Sequence, residues 1–457
     1  MYCQQPINTY NYNIDDVKLF LSVSNVVNKN TMLIFGEKSK TDFVLFDENF
    51  NEKFKISIQN EKKATIKMRG YSIIGNKYYV YSEKNDQEII VNELDFDLNK
   101  FETSTIAFKL DRDERIVSRF SKQNSHYIVS SIKDTNVLYL YIFTGNKVIK
   151  NTINCAQLDL YNANSEVVNV WDLFSEKNGT VYKDGFNVFS NPFETDIIKS
   201  TQKKKIFFTS NQIILSLDLN ANFSQYLFID LDNYTISQKK FQKQITAVGD
   251  FDHTNSNSFF VNNKIFLIKV DGSTVYFTIK DLNDTTLKKF IMSAENVGDL
   301  KNFTPYLENG FFTKKKLLSK PQKFFNQLSD YQSSLFAYFD NNKYYFTFGA
   351  VSYPQQSVAS LGMFGAIGAI AGVIIDSSNS GPLANYSNKY IVYTKDVLST
   401  DFESITENIG NSSIENLRNY LETVKTKESI LNTIPIEKNL ILVMYNKLDH
   451  KISFYKF

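Results

Sequence analysis

Hydrophobic and polar positions alternate along much of this chain in short runs that come in pairs. Each pair consists of an apolar, alternating segment, a short turn that holds Asn, Asp or Gly, and a second alternating segment rich in Lys and Thr. Alternation with period two is typical of half-buried β-strands, and such a turn joins two strands as a hairpin. The clearest hairpins run over Val44–Ile56, Ile90–Thr103, Tyr139–Thr152, Leu227–Phe241 and Val275–Phe290. The chain is therefore predicted to be all-β.

These hairpins return about every 48 residues along the chain. A fixed period of this size indicates a repeat architecture, and an all-β repeat of roughly 40 to 50 residues suits a β-propeller blade. We predict a single propeller domain over residues 31–457 with about seven four-stranded blades, although six or eight also fit the spacing. The first blade is expected to begin at Thr31. A degenerate copy is expected over Val167–Phe193, around Trp171 and the hairpin turn signals Lys177-Asn-Gly179 and Lys183-Asp-Gly185. Because the chain ends on a strand, a terminal strand is expected to pair with a blade from the other end.

One insertion, over residues 350–387, splits a repeat unit between the strand candidates Lys343–Phe348 and Lys389–Thr394. Its central segment, Ser357–Asp376, is uncharged until the last residue and is rich in small residues, including a GxxxG match. The uninterrupted apolar run is shorter than the roughly 20 residues of a spanning helix and lacks aromatic or basic anchors at its ends.

This insertion has two interpretations that the sequence leaves open. It folds onto the surface or into the central channel of the propeller, or it docks into a partner protein or dips into a membrane. An apolar surface of this size is not left exposed on a monomer without reason, which favours a binding role. The predicted partner-binding residues are Leu361, Gly362, Met363, Phe364, Gly365, Gly368, Gly372 and Ile374.

A second insertion, over residues 411–432, contains an amphipathic pattern typical of a helix. The helix is predicted over Ser412–Lys425, where Ser412 and Glu415 form a capping box. One apolar stripe consists of Ile414, Leu417, Leu421 and Val424. A covered stripe would mean that the helix closes a barrel end or a sheet edge, whereas an exposed stripe would indicate a partner helix.

Charge and composition limit the partners. Aromatic residues make up 15% of the chain, which suits half-buried strands. The net charge is only +2, and nearly all basic residues are Lys. Since Arg is the usual residue for bidentate contacts to phosphate and guanine, nucleic acid is not expected as a partner.

The N-terminus suggests export. Residues Tyr2 to Gln5 resemble the end of a signal peptide in Bacteroidota, with residues 1–3 as the remnant and a mature start near Gln4. Cys3 also permits a lipoprotein, and a cytoplasmic protein with a disordered start is the plain alternative. In an exported protein Cys155 would be the remaining cysteine, and it is expected to be a buried, inert thiol.

No motif in the sequence specifies a reaction, and no cofactor is expected. The histidines lie on separate repeats without zinc-ligand spacing. Asp250 and Asp252 are weak calcium candidates, because Val261 stands where an EF-hand needs a bidentate Glu. In a glycan-cleaving enzyme the first candidate carboxylates would be Asp111, Asp113 and Glu114, but such a mixed charge run is usually a solvated loop.

A basic cluster precedes the first insertion and predicts a weak contact with anionic lipid or another anion. It consists of Lys314, Lys315, Lys316, Lys320 and Lys323 and is followed by Phe324 and Phe325. The alternative is a solvated loop, the usual state of such lysines.

The repeat rhythm over residues 30–457 resembles that of secreted or periplasmic β-propellers of Bacteroidota type, although it lacks the WD dipeptide and the kelch double glycine. The resemblance implies a place at the periplasm or outer-membrane periphery, in a cell-envelope assembly such as secretion or gliding machinery. The expected function is a non-enzymatic scaffold that binds another envelope protein through the first insertion. A membrane-peripheral protein anchored by that insertion and a glycan-acting propeller enzyme are the alternatives.

Overall fold

The computed structural model describes residues 5–14, 17, 19–60, 68–85, 87–122, 124–176, 185–189, 197–244, 255–309, 315–352, 389–424, 429–436 and 438–457. Within these ranges the molecule is all-β, as predicted, with thirty strands in seven sheets of four or five strands each. Three short α-helices accompany the sheets in the described residues.

The first three sheets follow one another along the chain after strand β1 (Asn8–Asn11), which belongs to the last sheet. Each is an antiparallel meander of four strands. Sheet 1 contains β2 (Leu19–Ser24), β3 (Thr31–Gly36), β4 (Lys40–Phe46) and β5 (Glu52–Gln59). Sheet 2 contains β6 (Met68–Ile74), β7 (Lys77–Asn85), β8 (Glu88–Asp95) and β9 (Lys100–Ala107). Sheet 3 contains β10 (Glu114–Lys122), β11 (Ser125–Ile132), β12 (Val137–Thr144) and β13 (Lys147–Asn154).

The next two sheets lie beyond helix α1 (Val170–Ser175). Sheet 4 contains β14 (Asn187–Phe189), β15 (Lys204–Phe208), β16 (Gln212–Leu217), β17 (Phe223–Asp230) and β18 (Ile236–Gln242). Sheet 5 contains β19 (Asn255–Val261), β20 (Lys264–Asp271), β21 (Thr274–Asp281) and β22 (Thr286–Met292).

The last two sheets include strands that are distant in sequence. Sheet 6 contains β23 (Tyr306–Asn309), β24 (Lys316–Leu317), β25 (Gln332–Asp340), β26 (Lys343–Ser352) and β27 (Tyr390–Leu398), with helix α2 (Pro321–Asp330) between β24 and β25. Helix α3 (Ser413–Thr423) precedes sheet 7. Sheet 7 contains β28 (Ser429–Ile436), β29 (Asn439–Asn446), β30 (Lys451–Lys456) and the N-terminal strand β1.

The strands of the first unit begin earlier than the pattern predicted. Thr31 opens the second strand of sheet 1, because β2 already pairs with β3 from Leu19↔Gly36 to Ser24↔Thr31. The run Leu-Phe-Leu-Ser-Val-Ser is short and alternates poorly, since Leu19 and Phe20 are both buried. It therefore gives a weak period-two signal.

The described residues of Val167–Phe193, where a degenerate copy was expected, do not form a separate sheet. The described part of this stretch holds α1 and the short strand β14, which joins the edge of sheet 4 parallel to β15. Val170, Leu173 and Phe174 are buried at helical spacing, and the Asn169 side chain accepts a hydrogen bond from the Asp172 N–H as an N-cap. The turn signals of this stretch had suggested hairpins, but its hydrophobic period is that of a helix.

Every sheet shares a buried apolar cluster with its neighbour along the chain, and sheet 7 shares one with sheet 1. Representative pairs, in chain order, are Phe43 and Leu94, Tyr81 and Phe143, Leu140 and Leu215, Phe207 and Phe259, Phe277 and Phe346, Ile391 and Leu442, and Phe454 and Phe46. Strand β1 also pairs antiparallel with β30, from Asn8↔Phe454 to Asn11↔Lys451. The two ends of the chain therefore meet in one sheet, as the terminal strand had suggested.

Helix α3 confirms the predicted amphipathic helix. The reciprocal capping box is present, with the Glu415 N–H donating to Ser412 Oγ and the Ser412 N–H donating to Glu415 Oε2. Its stripe residues Ile414, Leu417 and Leu421 are buried in the cluster that joins sheets 6 and 7. The stripe is covered by the protein itself, so the partner-helix alternative does not hold for these residues. Within the described ranges, none of the helices combines the length and hydrophobicity that a membrane crossing requires.

Candidate functional site

The first insertion leaves and re-enters sheet 6 at one point. Strands β26 and β27 are direct antiparallel neighbours from Tyr344↔Leu398 to Ser352↔Tyr390, so residues 353–389 form a single long connection between them. The predicted partner-binding residues, Leu361, Gly362, Met363, Phe364, Gly365, Gly368, Gly372 and Ile374, lie outside the described residues, as do Asp250, Asp252 and Lys314.

A pocket of about 340 Å³ lies in the same sheet, between its strands and the segment that leads into α3. Tyr338 and Tyr345, from β25 and β26, line one side of it, and Tyr393 and Lys395 of β27 line another. Residues 407–415 complete the wall.

Two buried carboxylates share one phenol in the pocket. The Tyr393 hydroxyl lies 2.8 Å from Glu308 Oε1 and 2.7 Å from Glu415 Oε1. A phenol has one proton to donate, so it can satisfy only one of these oxygens at a time. Burial, followed by the negative charges of Glu415 and Glu308, raises the pKa of Tyr393 well above its ordinary value. This phenol therefore stays protonated at neutral pH.

Both carboxylates are paired with cations. Glu308 pairs with Arg418 of α3, and both residues are buried. Glu415 Oε1 accepts from Lys315 Nζ at 2.9 Å and Oε2 accepts from Lys395 Nζ at 2.5 Å. Burial alone would raise the pKa of Glu415, but the ammonium groups of Lys395 and Lys315 outweigh it and hold the pKa well below its usual range. A glycosidase of the usual kind needs one carboxyl group that remains protonated, and Glu415 does not meet that need.

The rim of the pocket combines aromatic rings with paired charges. The rings of Tyr338 and Tyr345 stack with centroids 4.9 Å apart and planes 6° apart. Glu407 Oε1 accepts from the Tyr345 hydroxyl at 2.9 Å, and Glu407 Oε2 accepts from Lys343 Nζ at 2.6 Å. Across the rim, Lys438 Nζ lies 2.5 Å from Asp340 Oδ1. The rim presents ring surface beside charges that are already neutralised.

Asp396 is the pocket carboxylate with neutral partners among the described residues. It accepts from the Asn302 amide, from the Ser404 hydroxyl at 2.8 Å and from the Val397 N–H at 2.8 Å. Burial raises the pKa of Asp396 above its ordinary value. The remaining carboxylates of the pocket lining each have a Lys or Arg partner.

Gly349 allows the close strand pairing that positions Tyr393. The two residues are opposite each other on β26 and β27, and a Cβ at Gly349 would overlap the backbone of Val392 and Tyr393. A glycine inside a strand often marks such a close backbone approach, and this was a readable signal in the sequence.

The basic cluster is only partly a surface feature. Lys315 pairs with Glu415 and lies 3.7 Å from the centroid of the Tyr306 ring, whereas Lys316 is exposed on β24. Lys320 and Lys323 lie at the start of α2. Phe324 and Phe325, which follow them, are fully buried in the core of the sheet. The contact with anionic lipid remains a prediction for the lysines alone.

The first candidate carboxylates for an enzyme lie in local contacts far from this pocket. Glu114 is buried, where its carboxylate accepts from the Tyr141 hydroxyl at 2.9 Å and from the Ser130 hydroxyl. Asp111 forms an exposed ion pair with Lys150. In the described part of the chain, no group of three or more His, Cys, Asp or Glu side chains is arranged to hold a metal ion. Cys155 is buried and free, as expected, and burial raises its pKa to about 12.

A second buried charge cluster lies where sheets 4 and 5 meet. Asp218 pairs with Lys205 at 3.0 Å and lies 4.0 Å from Lys243, and all three side chains are fully buried. Ser258 donates to Asp218 through its N–H at 3.0 Å and its hydroxyl at 2.9 Å. Burial, partly offset by the charge of Asp218, lowers the pKa of Lys243 to about 8. Because the three charged side chains are fully buried, the cluster is a feature of the core.

Sequence reasoning missed the pocket as a site. The capping box identified Glu415 in the sequence, but capping the helix was a sufficient reason for a glutamate there and gave no sign of a pocket. Glu308 lies 107 positions before Glu415, on a strand of only four residues. Lys315 was interpreted as part of the basic cluster and not as a partner of Glu415. Only the packing of α3 against sheet 6 brings these groups together.

Comparison with known proteins does not assign the chain to a family. No family model and no curated protein matches it. Solved structures that it resembles include Synechocystis apocarotenoid oxygenase (8% identity, 60% of this chain and 61% of that chain, TM-score 0.30) and a prolyl endopeptidase (8% identity, 72% and 45%, TM-score 0.32). A third is AofleA from Arthrobotrys oligospora (10% identity, 75% and 82%, TM-score 0.26). The chain spans about three fifths of the length of the apocarotenoid oxygenase.

Proposed function

We propose that the seven sheets are the blades of one β-propeller. Two observations support this arrangement: each sheet shares an apolar cluster with the next, and sheet 7 shares one with sheet 1. The pairing of β1 with β30 would then close the ring.

We further propose that the protein is a non-enzymatic binding or scaffold component of a bacterial cell-envelope assembly. In this proposal it is exported and works in the periplasm or at the outer-membrane periphery. The insertion over residues 350–387 engages another envelope protein, and the assembly belongs to secretion or gliding machinery.

The observation that carries the binding role is the position of the insertion. Because Ser352 and Tyr390 are paired neighbours, a connection of two to five residues would join β26 to β27. Residues 353–389 are far longer than the sheet requires, and connections of this length are usually functional. Their apolar, glycine-rich sequence suits burial against a protein partner.

The ion pairs of the pocket support binding over glycan cleavage. Glu308 and Glu415 are both paired with cations, and the low pKa of Glu415 beside Lys395 and Lys315 leaves that carboxyl group without a proton to deliver to a leaving group. Such a network suits a fixed binding surface.

The test compares the full chain with a variant in which a short Asn-Gly connection replaces residues 353–388. Both tagged proteins are purified from the native host, and any stoichiometric partner is identified and then mixed with the purified chain. A second variant keeps the full length of the insertion but replaces Leu361, Ile370 and Ile374 with Ser, so it separates the effect of the apolar side chains from the effect of length. We expect the partner to bind the full chain and to be lost from both variants. Equal binding by all three proteins, or no partner with any of them, contradicts the proposal.

The membrane-peripheral alternative has its own outcome. Purified full chain would sediment with vesicles of phosphatidylethanolamine and phosphatidylglycerol without any other protein, and the shortened variant would remain in the supernatant. Sedimentation that depends on the insertion favours this alternative over a protein partner.

A further inference from the structure

The pocket between sheet 6 and α3 has the size and the lining of a small-molecule site. Its volume of about 340 Å³ is near the lower end of the roughly 300 to 1,000 Å³ that such sites occupy. A cavity of this size accepts a molecule of one or two rings, which is much smaller than the partner surface considered above.

The charges of the lining argue against an ionic ligand. Glu308 pairs with Arg418, and Glu407 pairs with Lys343. Glu415 pairs with both Lys315 and Lys395. An anion would have to compete with these carboxylates for their cations, and a cation would compete with Lys and Arg. Breaking a buried pair leaves an uncompensated charge, which is costly. Asp396 has no cationic partner among the described residues, but neutral donors from Asn302, Val397 and Ser404 already occupy both of its oxygens. The lining therefore favours a ligand without net charge.

The polar groups still have capacity for hydrogen bonds. An ammonium group carries three donors, and the hydrogen bond from Lys395 Nζ to Glu415 Oε2 uses one of them. Each carboxylate oxygen of Asp340 and Glu407 can accept more than the single bond it receives here. Ligand hydroxyl groups both donate and accept, so they suit a lining that offers both donors and acceptors.

The stacked tyrosines offer the apolar half of the same recognition. Tyr338 and Tyr345 are half-buried at the edge of the cavity and are cross-strand neighbours. An aromatic face carries partial negative charge, so it attracts the slightly positive C–H groups of a saturated ring. A molecule with a C–H face and a hydroxylated edge matches both sides of the pocket.

We propose that this pocket binds a neutral, polyhydroxylated ring compound, in particular a mono- or disaccharide. The residues that carry this proposal lie outside residues 350–387, so it is tested separately from the proposed scaffold function.

The test is saturation-transfer difference NMR on the full chain with glucose, galactose, mannose, N-acetylglucosamine and maltose, followed by titration calorimetry for any sugar that responds. Tyr338→Leu removes one ring of the stack, and Thr347→Val removes a lining hydroxyl with little change of volume. Tyr276→Leu is the matched control, because Tyr276 is also half-buried on a strand but lies in sheet 5, outside the pocket.

We expect at least one sugar to bind. We expect Tyr338→Leu to weaken this binding and to raise the dissociation constant by about 10-fold. Thr347→Val should weaken binding less, and Tyr276→Leu should leave it unchanged. Thermal unfolding of each variant establishes that it is folded. No transfer to any of the five sugars overturns the proposal, as does binding that the Tyr338 variant leaves unaltered. Binding of inorganic phosphate or spermidine in place of sugars would also overturn it, since the lining would then select charge.

Discussion

At the scale of single residues, a glycine lets a buried ring pack directly against a strand. Gly70 of β6 lies against the imidazole of His126 on β11, and a Cβ there would overlap the ring. His126 is only 1% exposed, its Nδ1 lies 2.9 Å from Ser121 Oγ, and it stacks on Tyr81. Burial lowers the pKa of His126 to about 3, so it packs as a neutral ring between sheets 2 and 3.

We therefore predict that Gly70→Ala destabilises the protein. The added methyl group must displace the imidazole, and overpacking of this kind costs about 1–3 kcal/mol. Urea unfolding followed by circular dichroism measures the change. Gly410→Ala is the control, because a Cβ at Gly410 meets open space. Equal midpoints for Gly70→Ala and the parent chain would show that the ring moves aside without cost.

The buried Asp218 cluster predicts a dependence of stability on pH. The pKa of Lys243 is about 8 in the folded protein, below the ordinary value of a lysine. Between these two values the unfolded chain binds more protons than the folded chain, so the free energy of unfolding rises as the pH increases. We expect a rise from pH 7 to pH 9.5, a range that lies below the ionisation of most tyrosines. Burial also lowers the pKa of Lys203 to about 7 and lowers that of Lys205, so both neighbouring lysines change the free energy of unfolding in the same direction.

The test is Lys243→Met, which should flatten the rise of the free energy of unfolding over that range. Chemical unfolding at several pH values gives the slope directly. Lys451→Met serves as the control, since Lys451 is exposed at the start of β30. A slope unchanged by Lys243→Met would mean that another buried lysine is responsible, and the assignment to Lys243 would be wrong.

At the scale of elements, helix α3 forms because its cap and its apolar stripe agree. Ser412 and Glu415 satisfy the first-turn N–H groups, while Leu417 and Leu421 pack into the cluster between sheets 6 and 7. We predict that Ser412→Ala destabilises the protein by about 1 kcal/mol, the usual cost of a lost N-cap. Differential scanning calorimetry should show a lower Tm. Ser412→Asp is the control, because aspartate also caps helices and should retain most of the stability.

Elements whose hydrophobic period and end signals agree could be predicted from the sequence. Segments in which turn residues and hydrophobic spacing disagree could not. The hairpins around Val44–Ile56 and Val275–Phe290 were recognisable because each has alternation on both sides of a turn. The Val167–Phe193 stretch failed because turn residues outweighed the helical spacing of Val170, Leu173 and Phe174. The pocket was beyond sequence reasoning, since Glu308 and Glu415 meet only through the packing of α3 against sheet 6.

At the scale of the whole molecule, the N-terminal strand joins the two ends of the chain. Strand β1 occupies the edge of sheet 7 beside β30, and its Tyr10 hydroxyl donates to the Phe50 carbonyl of sheet 1 at 2.7 Å. Phe454 of β30 contacts the rings of Phe46 and Phe50 in the same cluster. One short strand thus contributes to the contact between the last sheet and the first.

We predict that deletion of residues 1–11 lowers the Tm and broadens the unfolding transition, because β30 becomes an open edge and sheet 1 loses part of its contact with sheet 7. An open edge also promotes aggregation, which size-exclusion chromatography would detect. The register Asn8↔Phe454 allows a direct control, in which residues 5–11 are moved behind Phe457 through a short Gly-rich turn. The moved strand can pair with β30 as an ordinary hairpin, so sheet 7 becomes a simple meander. Restored stability in this permuted chain would show that strand pairing, and not the chain connection from β1 to β2, joins the ends. A deletion variant as stable as the parent would contradict the prediction, because β1 would then contribute nothing to the contact between sheets 7 and 1.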